Sequence, residues 1–163
     1  MKFSNIILSW DFVISIVLTL ATAIFLPTML KMSFCISFYN TGITVLSIVF
    51  SLFFAALAII MTSSDNDFIE FLEEENDFSA LLDSFKITLA MLFVSLIYSI
   101  VLYVSSDYFA KNNSPDFEQH KIFFLVFEFL FTYSLLSTAL SVKDTIKFSD
   151  LRGKFLKKKN KKE

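Results

Sequence analysis

Four long runs of apolar residues, separated by charged segments, constrain this chain more than any other feature. The runs cover residues 12–30, 43–62, 87–106 and 122–142. A helix needs roughly 20 mostly apolar residues to cross about 30 Å of hydrocarbon. Hydrophobic residues make up 55% of the 163 residues, more apolar surface than a soluble core of this size can bury. The sequence therefore predicts an all-α integral membrane protein, with residues 1–142 forming a four-helix bundle in the lipid bilayer.

The first run has one alternative interpretation, a cleaved signal peptide. Lys2, an apolar stretch and Ala21-Thr22-Ala23 resemble such a peptide and its cleavage site. Asp11 interrupts the apolar stretch, however, and hydrophobicity continues past Ala23 to Leu26, so we favour a span. Pro27 is expected to bend or end this helix in its last turn. The second span is expected to begin after Gly42.

Orientation follows from the Lys and Arg residues near the ends of the spans. An even number of spans places both termini and the 63–86 loop on one side, with eleven basic residues against three on the other. Basic residues favour the cytoplasmic side, whereas carboxylates count little. We expect a multi-pass protein of the plasma (inner) membrane with both termini in the cytoplasm.

The 63–86 loop is predicted to form an acidic helical hairpin that extends spans two and three into the cytoplasm. Residues 65–83 carry eight carboxylates and no basic residue. Phe and Leu recur at helical spacing on both sides of Asn76-Asp77, a turn and helix-start signal. We expect the second helix to continue to about Glu75. The alternative is a single amphipathic helix on the membrane surface, which the carboxylates disfavour.

Residues 143–163 form a basic cytoplasmic tail with nine Lys or Arg. Anionic head groups, nucleic-acid phosphates and the acidic hairpin are all reasonable partners for this charge. The simplest interpretation is an ordinary basic tail without a specific ligand. If the tail does bind a cytoplasmic protein or an anionic nucleotide or oligonucleotide, the candidate residues are Arg152, Lys154, Lys157, Lys158 and Lys159.

Polar or small residues recur within the spans at intervals of three, four and seven. They are Asp11, Ser15, Thr19 and Thr22 in the first span; Thr44, Ser47, Ser51, Ala55 and Ala58 in the second; Thr88, Ser95, Ser99 and Ser106 in the third; and Ser134, Ser137, Thr138 and Ser141 in the fourth. This spacing puts each set on roughly one helix face. Such faces allow close helix packing, and the alternative is that some line a water-filled path within one chain or between identical chains.

Glu128 is the most informative single residue, because it lies about 10 Å along the fourth span from Lys121. An ionised carboxylate facing lipid there would cost several kcal/mol. We therefore expect Glu128 to be protonated, paired, or turned toward the bundle or a pore. Its structural interpretation is a hydrogen bond to Tyr98, Ser99 or Thr132. Asp11 lies nearer the interface, where Lys143 or Lys147 could reach it.

Patterns typical of enzymes are missing from the sequence. Gly42 and Gly153 are far apart, so no Gly-rich phosphate loop exists, and one Cys with one His cannot supply a usual zinc site. No Ser, His and Asp set can be assembled by this topology. We expect neither an enzyme nor a bound cofactor.

The stretch from Ser47 to about Ser105 resembles a loose class of small bacterial membrane proteins. The resemblance rests on Phe53-Phe54-Ala55-Ala56-Leu57-Ala58, the charged hairpin, and Phe85-Lys86-Ile87 at the start of the next span. Such proteins occur in antiphage-defence operons beside nucleotidyltransferases, as in Hailong-type systems. There the membrane partner is an effector that damages the envelope, which implies a similar role here. Because the hairpin is acidic, an anionic nucleotide would have to bind the basic tail.

Three functional hypotheses follow. The first is a homo-oligomeric, channel-like effector that permeabilises the membrane and is gated from the cytoplasm. We expect an oligomer because four spans with one modest polar stripe each are too few for a conduit in one chain. The second is a non-conducting scaffold or accessory subunit that docks a cytoplasmic partner. The third is a small proton-coupled transporter that uses Glu128.

Overall fold

The computed structural model describes residues 10–63, 77–112 and 118–159. In this part of the chain the helices are α1 (Trp10–Phe25), α2 (Met32–Ser63), α3 (Asp77–Asn112) and α4 (Lys121–Lys159), and the strands are β1 (Met29–Lys31) and β2 (Glu118–His120). The prediction of an all-α protein is thus confirmed, apart from one short ribbon. We call the end that holds β1 and β2 the ribbon end, and the opposite end the tail end.

Three of the helices are long and apolar enough to cross a membrane. The qualifying segments are Met32–Ala58, Leu82–Asn112 and Lys121–Phe155. Helix α1 is also apolar, but its 16 residues reach only about 24 Å. Large apolar side chains cover the outside of the bundle, with Ile24 81% and Phe25 85% exposed. A surface of this kind indicates membrane association.

Helix α4 is the central element of the bundle, since it packs against α1, α2 and α3. Near the ribbon end, Tyr39 and Leu102 meet Phe124 and Phe127 in one buried cluster. Towards the tail end, a second buried cluster joins α2, α3 and α4, and the Phe53 and Phe85 rings stack there at 4.8 Å. Helix α1 packs on α4 and stands at the edge.

The first predicted span, 12–30, is wrong at its C-terminal end. Helix α1 stops at Phe25, and the Leu26 N–H donates the last helical hydrogen bond to the Thr22 carbonyl at 2.9 Å. Pro27 has no N–H and disfavours helical geometry in the preceding residue, which explains the stop. The chain then forms β1, which the sequence pattern did not predict.

The two strands pair antiparallel and join the loop after α1 to the segment before α4. Leu30 lies opposite Gln119 in this pairing. The Tyr39 hydroxyl on α2 donates to Gln119 Oε1 at 3.1 Å, and the Lys121 N–H donates to the Thr28 carbonyl at 3.0 Å. The ribbon therefore fixes the position of α4 relative to both α1 and α2.

The expected start of the second span after Gly42 is also wrong as a helix boundary. Helix α2 begins at Met32, and Gly42 lies in its interior. The ring of Phe127 on α4 packs directly over the Gly42 backbone, where a β-carbon would clash with it. Gly42 thus permits a close approach of two helices and does not mark a helix end.

Helix α4 continues without a break past residue 142, where the fourth span was expected to give way to a separate tail. Phe148 is 8% exposed and belongs to the same buried cluster as Phe53 and Phe85. Phe155 packs against that cluster about two turns further on. Burial of these two rings explains why the basic segment is a helical extension of the bundle.

The predicted acidic hairpin lies largely outside the described residues. Helix α2 ends at Ser63 and α3 begins at Asp77, the start signal identified in the sequence. Residues 64–76, including the predicted end of the second helix near Glu75, are outside the described ranges.

Candidate functional site

The interface between α3 and α4 contains buried hydroxyl groups that bond to each other across the helices. Ser95 and Ser134 are fully buried, and their Oγ atoms lie 2.6 Å apart. The Thr88 hydroxyl lies 2.8 Å from Ser137 Oγ and 3.0 Å from Ser141 Oγ. We call this set of five residues the hydroxyl seam. Pairing in the seam leaves few of these hydroxyls available to a ligand.

Ser99 does not join the hydroxyl seam, although it was predicted on the same polar face. Its hydroxyl donates to the Ser95 carbonyl of the preceding turn at 2.6 Å. Such back-bonding satisfies a hydroxyl within its own helix. About two turns further along α3, the buried Ser106 hydroxyl has no partner among the described residues.

The interface between α1 and α4 contains acidic groups. The Thr22 hydroxyl on α1 donates to Glu128 Oε1 on α4 at 2.5 Å. The second oxygen, Oε2, is buried and lacks a partner within the described ranges. We call these two residues with Asp11 the acidic seam.

The partner expected for Glu128 was Tyr98, Ser99 or Thr132, and this expectation is wrong. Thr132 does bond to Glu128, but its hydroxyl donates to the backbone carbonyl at 2.8 Å. The carboxyl group faces α1, whereas the neighbouring Phe127 packs with Tyr39 of α2. Sequence spacing gave no information on which helix would lie beside Glu128.

Asp11 is 6% exposed, and its Oδ1 has no hydrogen-bond partner among the described residues. Neither Lys143 nor Lys147 pairs with it, contrary to expectation. Lys143 is exposed, and Lys147 lies 3.7 Å from Asp144 on its own helix. The aromatic rings of Phe12 and Tyr133 pack together next to Asp11, with centroids 5.9 Å apart. The acidic seam thus contains two buried carboxyl oxygens that have no partner in the described part of the chain.

Lys121 fixes the ribbon end of the acidic seam. Its Nζ donates to the Ala23 carbonyl at 3.0 Å and lies 3.5 Å from the Leu26 carbonyl. These carbonyls end α1, where the helix dipole favours a positive charge. The sequence alone places Lys121 just before the fourth span and does not reveal this capping role.

The part of α4 that follows residue 142 carries exposed basic residues on the side away from the Phe148 and Phe155 rings. Lys143, Lys147, Lys154 and Lys157 are exposed and recur at intervals of four, seven and three, which places them on one side. This set, named the basic face, extends about 21 Å along the helix. Of the other predicted ligand residues, Arg152 is half-buried on a different side, and the side chains of Lys158 and Lys159 are outside the described part.

The described residues contain no cluster of three or more His, Cys, Asp or Glu side chains that could hold a metal ion. His120, the lone histidine, lies in β2 with its Nδ1 accepting a hydrogen bond from the Ile122 N–H at 3.3 Å. Comparison with known protein families, with curated proteins and with solved structures finds no match.

Proposed function

We propose that this chain is an oligomeric, channel-like membrane effector that permeabilises the membrane under control from the cytoplasm. In this proposal all four helices cross the plasma (inner) membrane, with the ribbon end outside and both termini in the cytoplasm. The excess of basic residues at the tail end supports this orientation. Helix α1, about 24 Å long, can cross if the bilayer thins locally around it.

The continuity of α4 is the observation that carries the proposal. One helix of 39 residues, about 58 Å long, connects the basic face to the acidic seam. It also packs on each of the other three helices. A ligand that moves the basic face would therefore shift Glu128 relative to Thr22, because a helix transmits displacement along its axis as a rigid element.

The chemistry of the basic face favours an anionic ligand or partner. A cytoplasmic protein with an acidic surface is one candidate, and an anionic nucleotide or oligonucleotide is the other. The acidic 65–83 segment of the chain itself would compete for the same charge. The resemblance to Hailong-type membrane proteins favours a role in antiphage defence.

A conducting path would form between protomers in this proposal. Within one chain the hydroxyl seam is buried and its hydroxyls bond to one another, so it is packed as a helix contact. Several copies around an axis would supply the polar surface that one chain lacks.

Dye entry and ion flux in cells that express the protein test this proposal. We expect expression to increase dye entry and Glu128→Ala to change it several-fold. Glu118→Ala is the matched control, since this exposed carboxylate lies in β2, away from the acidic seam. Intact membranes with all three proteins would contradict the proposal.

A non-conducting scaffold that docks a cytoplasmic partner is the second candidate, and the exposed basic face favours it. Removal of residues 143–163 is a poor test because it also removes the buried Phe148. Paired Lys154→Glu and Lys157→Glu substitutions keep the packed side of α4 intact. Loss of partner capture in a pull-down with this variant, retained capture with Lys111→Glu, and no flux with the unmodified chain would favour the scaffold.

A further inference from the structure

One face of α2 carries exposed polar and small residues along most of its length. They are Ser33, Ser37, Asn40, Thr44, Ser51 and Ala55, with the half-buried Ser47 among them. The exposed apolar residues Ile48, Leu52 and Phe54 flank this face. The polar and small residues recur every three or four residues and so share one face. We call this set the α2 polar face.

The outward sides of the other three helices are built from large apolar residues. Examples are Val13, Val17 and Leu20 on α1, Val94, Ile97 and Val101 on α3, and Ile122, Val126 and Val142 on α4. Side chains of this kind suit contact with lipid tails. The α2 polar face differs from them although it belongs to a helix that is long and apolar enough to cross a membrane.

The hydroxyl groups on the α2 polar face do not by themselves require a partner. Thr44 donates to the Asn40 carbonyl at 3.0 Å, and Ser51 donates to the Ser47 carbonyl at 2.9 Å. Because these donors are satisfied within the helix, lipid contact costs them little. Their small size instead allows a second helix to approach closely.

The side-chain amide of Asn40 does require a partner. It is exposed and has no hydrogen-bond partner among the described residues. Measured along the helix axis, it lies about 13 Å from Lys31. Hydrocarbon offers neither donors nor acceptors, so an amide left unpaired there has lost the hydrogen bonds that water would give it, which is unfavourable. A polar group from another polypeptide at the same depth would satisfy it.

We propose that copies of this chain associate through the α2 polar face, with the Asn40 amides of adjacent copies paired. Copies inserted in the same orientation hold Asn40 at the same depth, and an amide is self-complementary because it both donates and accepts. Ser47, Ser51 and Ala55 follow at four-residue intervals and let the two backbones approach. Helix α2 carries no charged residue, so two copies meet without like-charge repulsion.

This inference rests on the oligomeric effector proposed above and specifies its interface. In a ring of several copies, α2 would lie next to the symmetry axis. The hydroxyl groups that face lipid in a single chain would then face other hydroxyls or a central path.

Disulfide crosslinking of the full chain in phosphatidylethanolamine and phosphatidylglycerol vesicles tests the interface. We expect Ser51→Cys to give a crosslinked dimer on oxidation. Val94→Cys is the matched control, because it is 50% exposed on α3 and lies at a similar depth, as the Phe50–Phe93 ring contact at 6.2 Å indicates. The unmodified chain should not crosslink, since its single cysteine, Cys35, is buried.

Replacement of the Asn40 amide tests the pairing itself. We expect Asn40→Val to weaken self-association about three- to thirty-fold, measured by energy transfer between labelled chains as the lipid-to-protein ratio is raised. Val101→Leu is the control on α3, at the depth of the cluster that Tyr39 shares with Leu102. Retained association with Asn40→Val, or equal crosslinking through Ser51→Cys and Val94→Cys, would overturn the proposed interface.

Dye flux measured on the same vesicles separates this inference from the proposed function. Crosslinking through Ser51→Cys without any flux would support the interface and contradict the channel-like effector. Flux without crosslinking at the α2 polar face would support the channel-like effector and contradict the interface, since permeation would then depend on a different contact.

Discussion

The Thr22 hydroxyl and the Glu128 carboxyl join α1 to α4 by a hydrogen bond of 2.5 Å between side chains. Helix α1 lies at the edge of the bundle, and among the described residues its other side-chain bond to α4 comes from Lys121 at the ribbon end. The Thr22–Glu128 hydrogen bond is therefore expected to stabilise the packing of α1 on α4 along the acidic seam.

Removing the Thr22 hydroxyl should destabilise the bundle. Thr22→Val keeps the shape of the side chain but removes the donor to Glu128 Oε1, so that neither carboxyl oxygen has a partner among the described residues. We expect a loss of about 1 kcal/mol in the free energy of unfolding, typical of a polar contact between membrane helices. Thermal unfolding in detergent, followed by circular dichroism, measures it.

Thr19→Val is the matched control for this prediction. The Thr19 hydroxyl lies one turn earlier on the same helix and donates to the Ser15 carbonyl at 2.9 Å, so its loss breaks no contact between helices. Equal destabilisation by the two substitutions would show that the Thr22–Glu128 bond adds nothing specific.

Apolar length and hydroxyl spacing in the sequence predicted the helices of this fold and the buried faces of α3 and α4. They did not predict which helix would face Glu128. A helical period identifies a face, but the neighbour of that face depends on how the helices are arranged, and Thr22 is separated from Glu128 by 106 positions. The short strands were missed for a similar reason, because β1 exists only through its pairing with a segment 90 residues away.

The two glycines of the chain should respond oppositely to the same substitution. Gly42→Ala places a β-carbon against the Phe127 ring, which Tyr39 and Phe131 hold at centroid distances of 5.0 and 5.7 Å. Because this ring has little room to move, we expect a loss of about 1–3 kcal/mol in the free energy of unfolding. Phe127→Leu should partly rescue the variant, and thermal unfolding in detergent compares the two.

Gly153→Ala is the control, since in the described part of the chain no atom lies within 4 Å of the added β-carbon, apart from its chain neighbours and the backbone of its own helix. Alanine favours a helix over glycine by about 0.8–1.0 kcal/mol, so this variant should be neutral or more stable. If Gly42→Ala were as well tolerated as Gly153→Ala, the close approach of α2 and α4 at Phe127 would be disproved. The sequence alone suggested that a span starts after Gly42. It could not show that Gly42 makes room for the Phe127 ring, because that ring belongs to a helix distant in sequence.

Phe148 should hold the basic extension of α4 to the bundle. Phe148→Ala removes a ring that is 8% exposed and packs with Phe53 and Phe85, and we expect a cost of about 3 kcal/mol in stability. Trypsin should then cleave the Lys-rich extension faster. Ile146→Ala, at a residue that is 59% exposed, should leave the cleavage rate unchanged. Similar rates for the two variants would mean that the extension is not anchored by Phe148.

The number of spans can be decided by labelling single cysteines in intact cells. Four spans place Lys2 and Lys154 in the cytoplasm and Lys111 outside. A maleimide that does not cross membranes should thus label Lys111→Cys in intact cells, and Lys2→Cys and Lys154→Cys only after permeabilisation. Lys111 is a suitable position because its side chain is 73% exposed and its ion pair with Asp107 lies at the surface. The buried Cys35 should give no background in the unmodified chain.

Helix α1 makes this measurement decisive, because its 16 residues are fewer than the roughly 20 that a span needs. If α1 does not cross, Lys2→Cys will be labelled in intact cells together with Lys111→Cys, and three spans remain. If Lys154→Cys is labelled in intact cells, the orientation itself is reversed. Labelling of Lys111→Cys alone requires that α1 cross the bilayer beside α4, and Glu128 then lies inside the membrane between two spanning helices.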